Sequence, residues 1–283
     1  MGIEIKKQRI QANGTYEFEF TDIITQYFVG ISGFRCSYPD GDHHVKICSI
    51  TLDADIKNKN TIPVKANMIL EDASGHRIDS KSWTDVSVIA WTSSDNVAIP
   101  MSTGLSNDMA IPCENTPDFS RTSLSGFSLA YSDNDHHVRG ISASTRSTWA
   151  TGTKTLIMHC SAGMNDDSGN NAVANPVHGS VIAYCGLSKL LKVLDFTDRT
   201  QGDTVVEFDV PPDEYAVFIS SFSYRYGSDD HHLKEIKAQI TPKSNGKSIT
   251  LSLDTCFADD SGDTAGGNKK ITGFVLGLFN GSE

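Results

Sequence analysis

The sequence lacks long hydrophobic runs and an excess of basic residues. No apolar stretch approaches the roughly 18–20 residues that span a bilayer, and the first 14 residues have no apolar middle like that of a signal peptide. Lys and Arg number 24 against 35 Asp and Glu, giving a net charge of −11. Nucleic acids and anionic lipids are disfavoured partners because both need a basic face. We expect a chain that is cytoplasmic as synthesised, is not inserted into a membrane, and can be released or join an extracellular particle.

Cysteine pairs and common catalytic motifs are also missing. None of the six cysteines belongs to a CxxC pair, and we expect small buried thiols in a reducing compartment rather than disulfides or thiolate metal sites. The sequence has no GxSxG, HExxH, P-loop or GxGxxG motif. Without a distinct nucleophile or base, it predicts no catalytic residues and a protein that is not an enzyme, with a metal-dependent hydrolase as the minor alternative.

The tripeptide Asp-His-His occurs three times at nearly equal intervals. The copies stand at residues 42–44, 135–137 and 230–232, and their spacings of 93 and 95 residues are close to one third of the chain. A Phe lies eight residues before each Asp, and a Tyr lies four residues before it. An acidic turn and then an apolar stretch follow each copy. The pattern predicts three similar units, residues 1–94, 95–188 and 189–283.

Each unit has the pattern of a small antiparallel β-sandwich. Residues 15–20, 204–208 and 248–254 alternate apolar and polar side chains with the period of two that is typical of strands. The predicted fold is all-β, with three tandem antiparallel β-sandwich repeats of about 94 residues. No Gly/Ser-rich or Pro-rich linker separates the units, which favours packing around a pseudo-threefold axis over beads on a string. We expect a long loop or an insertion at residues 103–121 and, at most, a helical turn at residues 188–196.

The Asp-His-His element is predicted to lie where a hairpin returns. In the first unit, a strand that contains Phe34, Cys36 and Tyr38 precedes a turn at residues 39–42, and the next strand begins at Val45. Because neighbouring strand residues point to opposite faces, one His of each pair should face the unit or its neighbour and the other should face outward.

Three interpretations of this element remain open. In the first, the Asp caps the turn, and one His packs on the Tyr and donates a hydrogen bond to a backbone carbonyl or to the aspartate of the acidic turn. In the second, one His from each unit meets its equivalents on the axis and binds Zn²⁺ or another divalent transition metal, while the Asp residues orient the rings. The candidate metal ligands are His43, His136 and His231, with His44, His137 and His232 as the other possible set.

In the third interpretation, the same side chains form a pocket for a sugar-like ligand at each unit or at the seams between units. The Tyr supplies a ring for stacking, and the Asp and His supply acceptors and donors. No cofactor is certain from these residues. The candidate ligand-binding residues are Tyr38, Asp42, His43 and His44 in the first unit, Tyr131, Asp135, His136 and His137 in the second, and Tyr226, Asp230, His231 and His232 in the third.

The acidic turns at residues 71–75, 165–169 and 258–262 each end in Ser-Gly. We expect an Asx-type turn with the Gly at positive φ, since Ca²⁺ needs six to eight oxygens and the EF-hand spacing is absent. Asp166 and Asp259 are also expected to meet a His of the repeated element, because the two features recur together.

The repeated unit resembles the H-type lectin domain. The likeness lies in VFISSFSYRYGSDDHHLKEIKAQIT at residues 217–241 and in the closing GFVLGLF, and the first two units repeat the pattern. It implies an antiparallel β-sandwich of similar length that assembles as a trimer and binds galactose-type sugars at subunit seams. One chain would then stand in for a whole trimer. The doubled His has no counterpart in the family pattern, so no sugar-binding residue is carried over.

Two functions follow from these observations. The first is a non-catalytic, lectin-like protein that recognises carbohydrate or a similar surface ligand through three equivalent elements. The second is a structural subunit of a larger assembly, such as a particle, tail or matrix, in which the His elements stabilise a pseudo-trimer with or without a metal. Self-assembly is a possible partner interaction in either case.

Overall fold

The computed structural model describes residues 2–92, 101–113, 115–184, 190–227, 229–265 and 268–279. The predicted all-β class is confirmed: the described residues form eighteen strands and contain no helix. The described residues therefore contain no helix that is long and apolar enough to span a membrane. The predicted boundaries between units, near residues 94 and 188, lie outside the described residues.

Six strands precede residue 93, six lie between residues 101 and 184, and six follow residue 190. The first six are β1 (Ile3–Gln11), β2 (Thr15–Glu19), β3 (Gln26–Ser37), β4 (Ile47–Ala54), β5 (Thr61–Glu71) and β6 (Trp83–Trp91). The next six are β7 (Met101–Leu105), β8 (Ala110–Pro112), β9 (Phe119–Ala130), β10 (Gly140–Ala150), β11 (Thr155–Asn165) and β12 (Val173–Tyr184). The last six are β13 (Leu191–Arg199), β14 (Gly202–Glu207), β15 (Glu214–Arg225), β16 (Glu235–Asn245), β17 (Ser248–Ala258) and β18 (Lys269–Leu278).

Three local predictions are wrong. Residues 103–121 contain the end of β7, the whole of β8 and the start of β9 rather than one long loop. The expected helical turn is strand β13 from Leu191 onward. The Asp-His-His element does not close a hairpin, because β3 pairs with β6 and β16 while β4 pairs with β5 and β9. The correct partners come from distant sequence, which local alternation does not reveal.

Each of the three six-stranded sheets combines strands from two thirds of the chain. The strand orders are β1-β6-β3-β16-β17-β14, β13-β18-β15-β10-β11-β8 and β2-β5-β4-β9-β12-β7. The junctions inside these sheets are the antiparallel pairs β3–β16, β10–β15 and β4–β9, and each aligns five residues with five. Edge-to-edge pairing satisfies backbone groups that would otherwise be exposed at a free strand edge. Every third of the chain is thus hydrogen-bonded to both others.

A β-bulge interrupts the same place in three central strands. Ser32, Ser125 and Ser220 are the extra residues in β3, β9 and β15 where the register shifts against the neighbouring strand. They occupy the middle of the sequence words ISG, LSG and ISS. A bulge bends its strand and re-aims the side chains that follow.

Two residues beyond each bulge stands a Phe of the repeated pattern, and the three rings meet. Centroids lie 6.3 Å apart for Phe34 and Phe127, 5.1 Å for Phe34 and Phe222, and 5.3 Å for Phe127 and Phe222. All three are almost completely buried in the main hydrophobic core, which contains residues from every third of the chain. We call this cluster the phenylalanine triangle.

Replacing Phe127 by Ala should lower the free energy of unfolding by about 3–5 kcal/mol, because it leaves a cavity between two rings that cannot fully close it. Urea unfolding followed by tryptophan fluorescence measures the loss. The matched control is Val173→Ala, at a strand position that is 60% exposed and should change stability by less than about 0.5 kcal/mol. A loss below about 1 kcal/mol for Phe127→Ala would contradict close packing of the triangle.

Candidate functional site

The three Asp-His-His elements lie in connectors that run from one sheet to the next. The connectors join β3 to β4, β9 to β10, and β15 to β16, and in each case the two strands belong to different sheets. The connectors meet and pair with one another through short antiparallel bridges, His43 with Leu233, Val45 with His136, and Val138 with His231.

Each bridge consists of two reciprocal backbone hydrogen bonds. The N–H of Val45 donates to the carbonyl of His136 at 2.8 Å, and the N–H of His136 donates back at 3.0 Å. The corresponding distances are 2.8 and 3.1 Å for Val138 with His231, and 3.1 and 2.8 Å for His43 with Leu233. The bridges form a closed ring in which every connector pairs with both others.

The second His of each pair lies between two bridge residues, and these three rings come together. Ring centroids of His44, His137 and His232 are 4.6 Å apart in all three combinations. One potential ligand atom from each ring lies within 4.8 Å of the other two. Their side chains are 40–41% exposed, so the cluster is open to solvent. We call it the histidine triangle.

An aspartate from a neighbouring third stands behind each ring of the histidine triangle. Nδ1 lies 3.7 Å from Asp135 Oδ1 for His44, 3.4 Å from Asp230 Oδ1 for His137, and 3.5 Å from Asp42 Oδ1 for His232. The other carboxylate oxygens accept backbone N–H groups, from Ala73 to Asp135, from Asp167 to Asp230, and from Asp260 to Asp42, at 3.1–3.2 Å. Each Asp thereby ties the His and the acidic turn of an adjacent third to its own connector.

The pKa of His44, one ring of the triangle, is lowered. Burial, and then the neighbouring imidazoles of His137 and His232, lower the pKa of His44, while the carboxylate of Asp135 opposes this change. A lowered pKa favours the neutral ring, which is the form that carries a lone pair.

The first His of each pair instead packs on the Tyr of its own third. Ring centroids are 4.8 Å apart for Tyr38 and His43, 4.3 Å for Tyr131 and His136, and 4.5 Å for Tyr226 and His231. The Tyr hydroxyls are turned inward: that of Tyr38 donates to the carbonyl of His44 at 3.1 Å. All three Tyr residues are at most 3% exposed, so their rings present no free face to a sugar.

The same first His residues face the buried aspartates of the acidic turns. Nδ1 is 3.0 Å from Asp166 Oδ2 in His136 and 3.2 Å from Asp259 Oδ2 in His231, which confirms the two expected contacts. In the first third, His43 Nδ1 is 3.7 Å from Asp72 Oδ2. These contacts and the Tyr packing are those of the first interpretation above.

The acidic turns have the predicted geometry. Gly75, Gly169 and Gly262 have φ values of 97°, 91° and 96°, a region that favours Gly. The aspartate three residues earlier accepts the backbone N–H of the residue after the Gly, at 2.9 Å for Asp72 and 2.8 Å for Asp166 and Asp259. The turns thus position a buried carboxylate beside each connector.

Sequence reasoning missed the residue that follows each of these glycines. It is His76, Asn170 or Asp263, and its side chain lies against the first His. The rings of His43 and His76 stack with centroids 3.8 Å apart. The residue always follows the Ser-Gly of the acidic turn, and this constant position could have identified it. Because its type differs between the thirds, the sequence pattern did not show that the three side chains occupy equivalent places.

Three groups in the described residues are close enough to share a metal ion. They are the histidine triangle, the set Asp40, His43 and His76, and the set His231, Asp259 and Asp263. The candidate set His43, His136 and His231 is not among them, because each of these rings is held by its own Tyr and Asp. No cysteine belongs to any of the three groups, and the five described cysteines are free thiols.

Two surface depressions lie elsewhere. One is lined by residues that include Lys7, Arg9 and Asp85, and the other by residues that include Asn107 and Cys160. Neither contains a Tyr, Asp or His of the repeated element.

Comparison with known proteins adds no relative: no protein-family model matches the chain, and no curated protein matches it. The likeness to H-type lectin domains stays a prediction.

The buried aspartates predict a pH-dependent stability. Burial would raise the pKa of Asp166, but its hydrogen bonds with Asn170 and His136 outweigh burial and hold the pKa below the ordinary 3.8. As pH falls, the unfolded chain therefore takes up this proton before the folded chain does, and stability is lost as pH falls through the folded-state pKa.

In Asp166→Asn, the new amide N–H₂ would oppose the donor of Asn170. We expect the variant to lose about 1–3 kcal/mol of unfolding free energy at neutral pH and to approach the native protein near pH 3. Urea unfolding at both pH values measures this, with the exposed Asp203→Asn as control. An equal loss at both pH values would contradict a role for the charge.

Proposed function

We propose that the chain is a non-catalytic structural subunit in which three similar β-sandwich units close around a pseudo-threefold axis. The observation that carries this proposal is the ring of reciprocal backbone bridges between the three connectors. Three further features support the same arrangement: the equal spacing of the histidine triangle, the meeting of one Phe from each third, and the three sheet junctions of five residues each. A heterologous interface that closes on itself after three copies has this form.

The side chains of the Asp-His-His elements hold the units together in this proposal. Each Asp contacts two groups of an adjacent third, a histidine ring and a backbone N–H. These contacts run in one direction around the ring and fix the orientation of one unit against the next. A body closed in this way can serve as a rigid piece of a particle, tail or matrix.

The carbohydrate-binding function rests on the residue types of the repeated element and on the resemblance to a lectin domain. The Tyr rings that were predicted to stack on a sugar are buried, and the second His of each pair faces the other two. A glycan array at high protein concentration, run beside negative-stain electron microscopy, separates the two functions. We expect particles or filaments and no glycan signal, whereas specific glycan binding by a dispersed monomer would overturn the proposed function.

If the units are equivalent, replacing the aspartate that links each unit to the next should lower the free energy of unfolding by the same amount in all three cases. Asp42→Ala, Asp135→Ala and Asp230→Ala should each lower the free energy of unfolding by about 0.5–1.5 kcal/mol, because each removes a solvent-accessible hydrogen bond to a backbone N–H and the carboxylate that faces a histidine. Urea unfolding in the presence of a chelator measures the three losses, with Asp203→Ala as control. One variant with a loss near that of the control would contradict the threefold equivalence.

A further inference from the structure

We propose that His44, His137 and His232 bind one divalent transition-metal ion of borderline softness, such as Zn²⁺, so that a single ion links all three thirds of the chain. The inference rests on the proposed structural role and makes it more specific. It can fail while that role stands, because the backbone bridges and aspartate contacts do not need a metal.

The first argument is distance. Three nitrogens bound to one tetrahedral Zn²⁺ at about 2.1 Å are about 3.4 Å apart, and one atom from each ring already lies within 4.8 Å of the others. Small rotations of half-exposed side chains can cover the difference. The bridge residues on either side hold the backbone of each His beside the other connectors.

The second argument is the state of the other ring nitrogen. Nδ1 of each ring faces a carboxylate oxygen at 3.4–3.7 Å, an arrangement that favours a proton on Nδ1 and leaves the lone pair on Nε2. Metal-binding histidines commonly donate their second N–H to a carboxylate in this way. Here the carboxylate comes from an adjacent third for every ring, so metal affinity would depend on correct packing of all three.

The third argument is charge. Three carboxylates behind the rings make the surroundings negative, and the whole chain carries −11. An anion held by three imidazolium rings would meet repulsion from Asp42, Asp135 and Asp230, whereas a divalent cation would be attracted to them. Neutral imidazoles are ligands for Zn²⁺ and similar borderline ions rather than for Ca²⁺ or Mg²⁺.

The two other His-containing groups are weaker candidates. Asp72 and Asp259, the buried carboxylates beside them, already accept a backbone N–H from their turns. The residue after the turn Gly also differs between the thirds, His76 in one and Asp263 in another. The histidine triangle alone offers the same residue from every third.

The test is binding of Zn²⁺ to the full chain after chelation and dialysis, followed by isothermal titration and by the melting temperature. We expect one ion per chain and a higher melting temperature with Zn²⁺. Asp135→Ala should weaken binding by about 10–100-fold, as expected for loss of an orienting carboxylate. His137→Ala should weaken it more, since it removes a ligand.

His159→Ala is the matched control, because it removes a histidine that belongs to none of the three candidate metal groups and should leave the affinity unchanged. Co²⁺ gives a second readout. The Co²⁺-loaded protein with the unchanged sequence should show visible absorption bands, and these bands should be absent when Co²⁺ is added to His137→Ala. His137→Gln replaces the Ala variant if chelated His137→Ala lacks a cooperative unfolding transition.

Binding well below one ion per chain, or unchanged affinity in the His137 variants, would overturn the inference. Failure of the proposed structural role would appear separately, as unequal losses in the chelated aspartate series or as dispersed monomers that bind glycans.

Discussion

The contact between the three thirds of the chain depends on hydrogen bonds between the backbones of the three connectors. In most antiparallel sheets, consecutive strands are neighbours in the same sheet. Here β3, β9 and β15 are each followed in the chain by a strand that belongs to a different sheet. The crossing exposes backbone N–H and carbonyl groups that need partners when they are removed from water. The connectors supply those partners to each other through the six hydrogen bonds of the ring. The positions of the histidines in the three connectors follow from this pairing.

The ring separates the two histidines of each pair into different environments. The first His belongs to a bridge in each connector, and its ring is held by the Tyr and the buried aspartate of its own third. The second His lies between bridge residues, and its ring is held by an aspartate from an adjacent third. The two adjacent histidines therefore have different roles. The first His fixes a connector to its own third, and the second His contacts its equivalents from the other two thirds.

Periodicity in the sequence predicted the repeated contacts but not the pairing of strands. The strand pattern, the Tyr–His packing and the acidic turns follow from short-range sequence, and the meetings of Asp166 and Asp259 with histidine follow from the joint recurrence of the two features. The hairpin at residues 39–45 was a wrong prediction, because the partners of β3 and β4 lie in β16 and β9. Alternation also could not identify His44 rather than His43 as the ring that meets its equivalents from the other thirds, since the connector is irregular and its orientation is set by bridges to those thirds.

The balance between neutral and charged groups gives the histidine triangle its chemical character. Beside three neutral imidazoles, each nearby carboxylate would keep a backbone N–H as its hydrogen-bond partner but face an uncharged ring, whereas three protonated rings would place like charges side by side, with ring centroids 4.6 Å apart. A single divalent ion relieves both costs, because it attracts the carboxylates and needs neutral rings. A proton shared among the rings would relieve them only in part. This is the physical reason to expect a metal, and not only hydrogen bonds, where the three connectors meet.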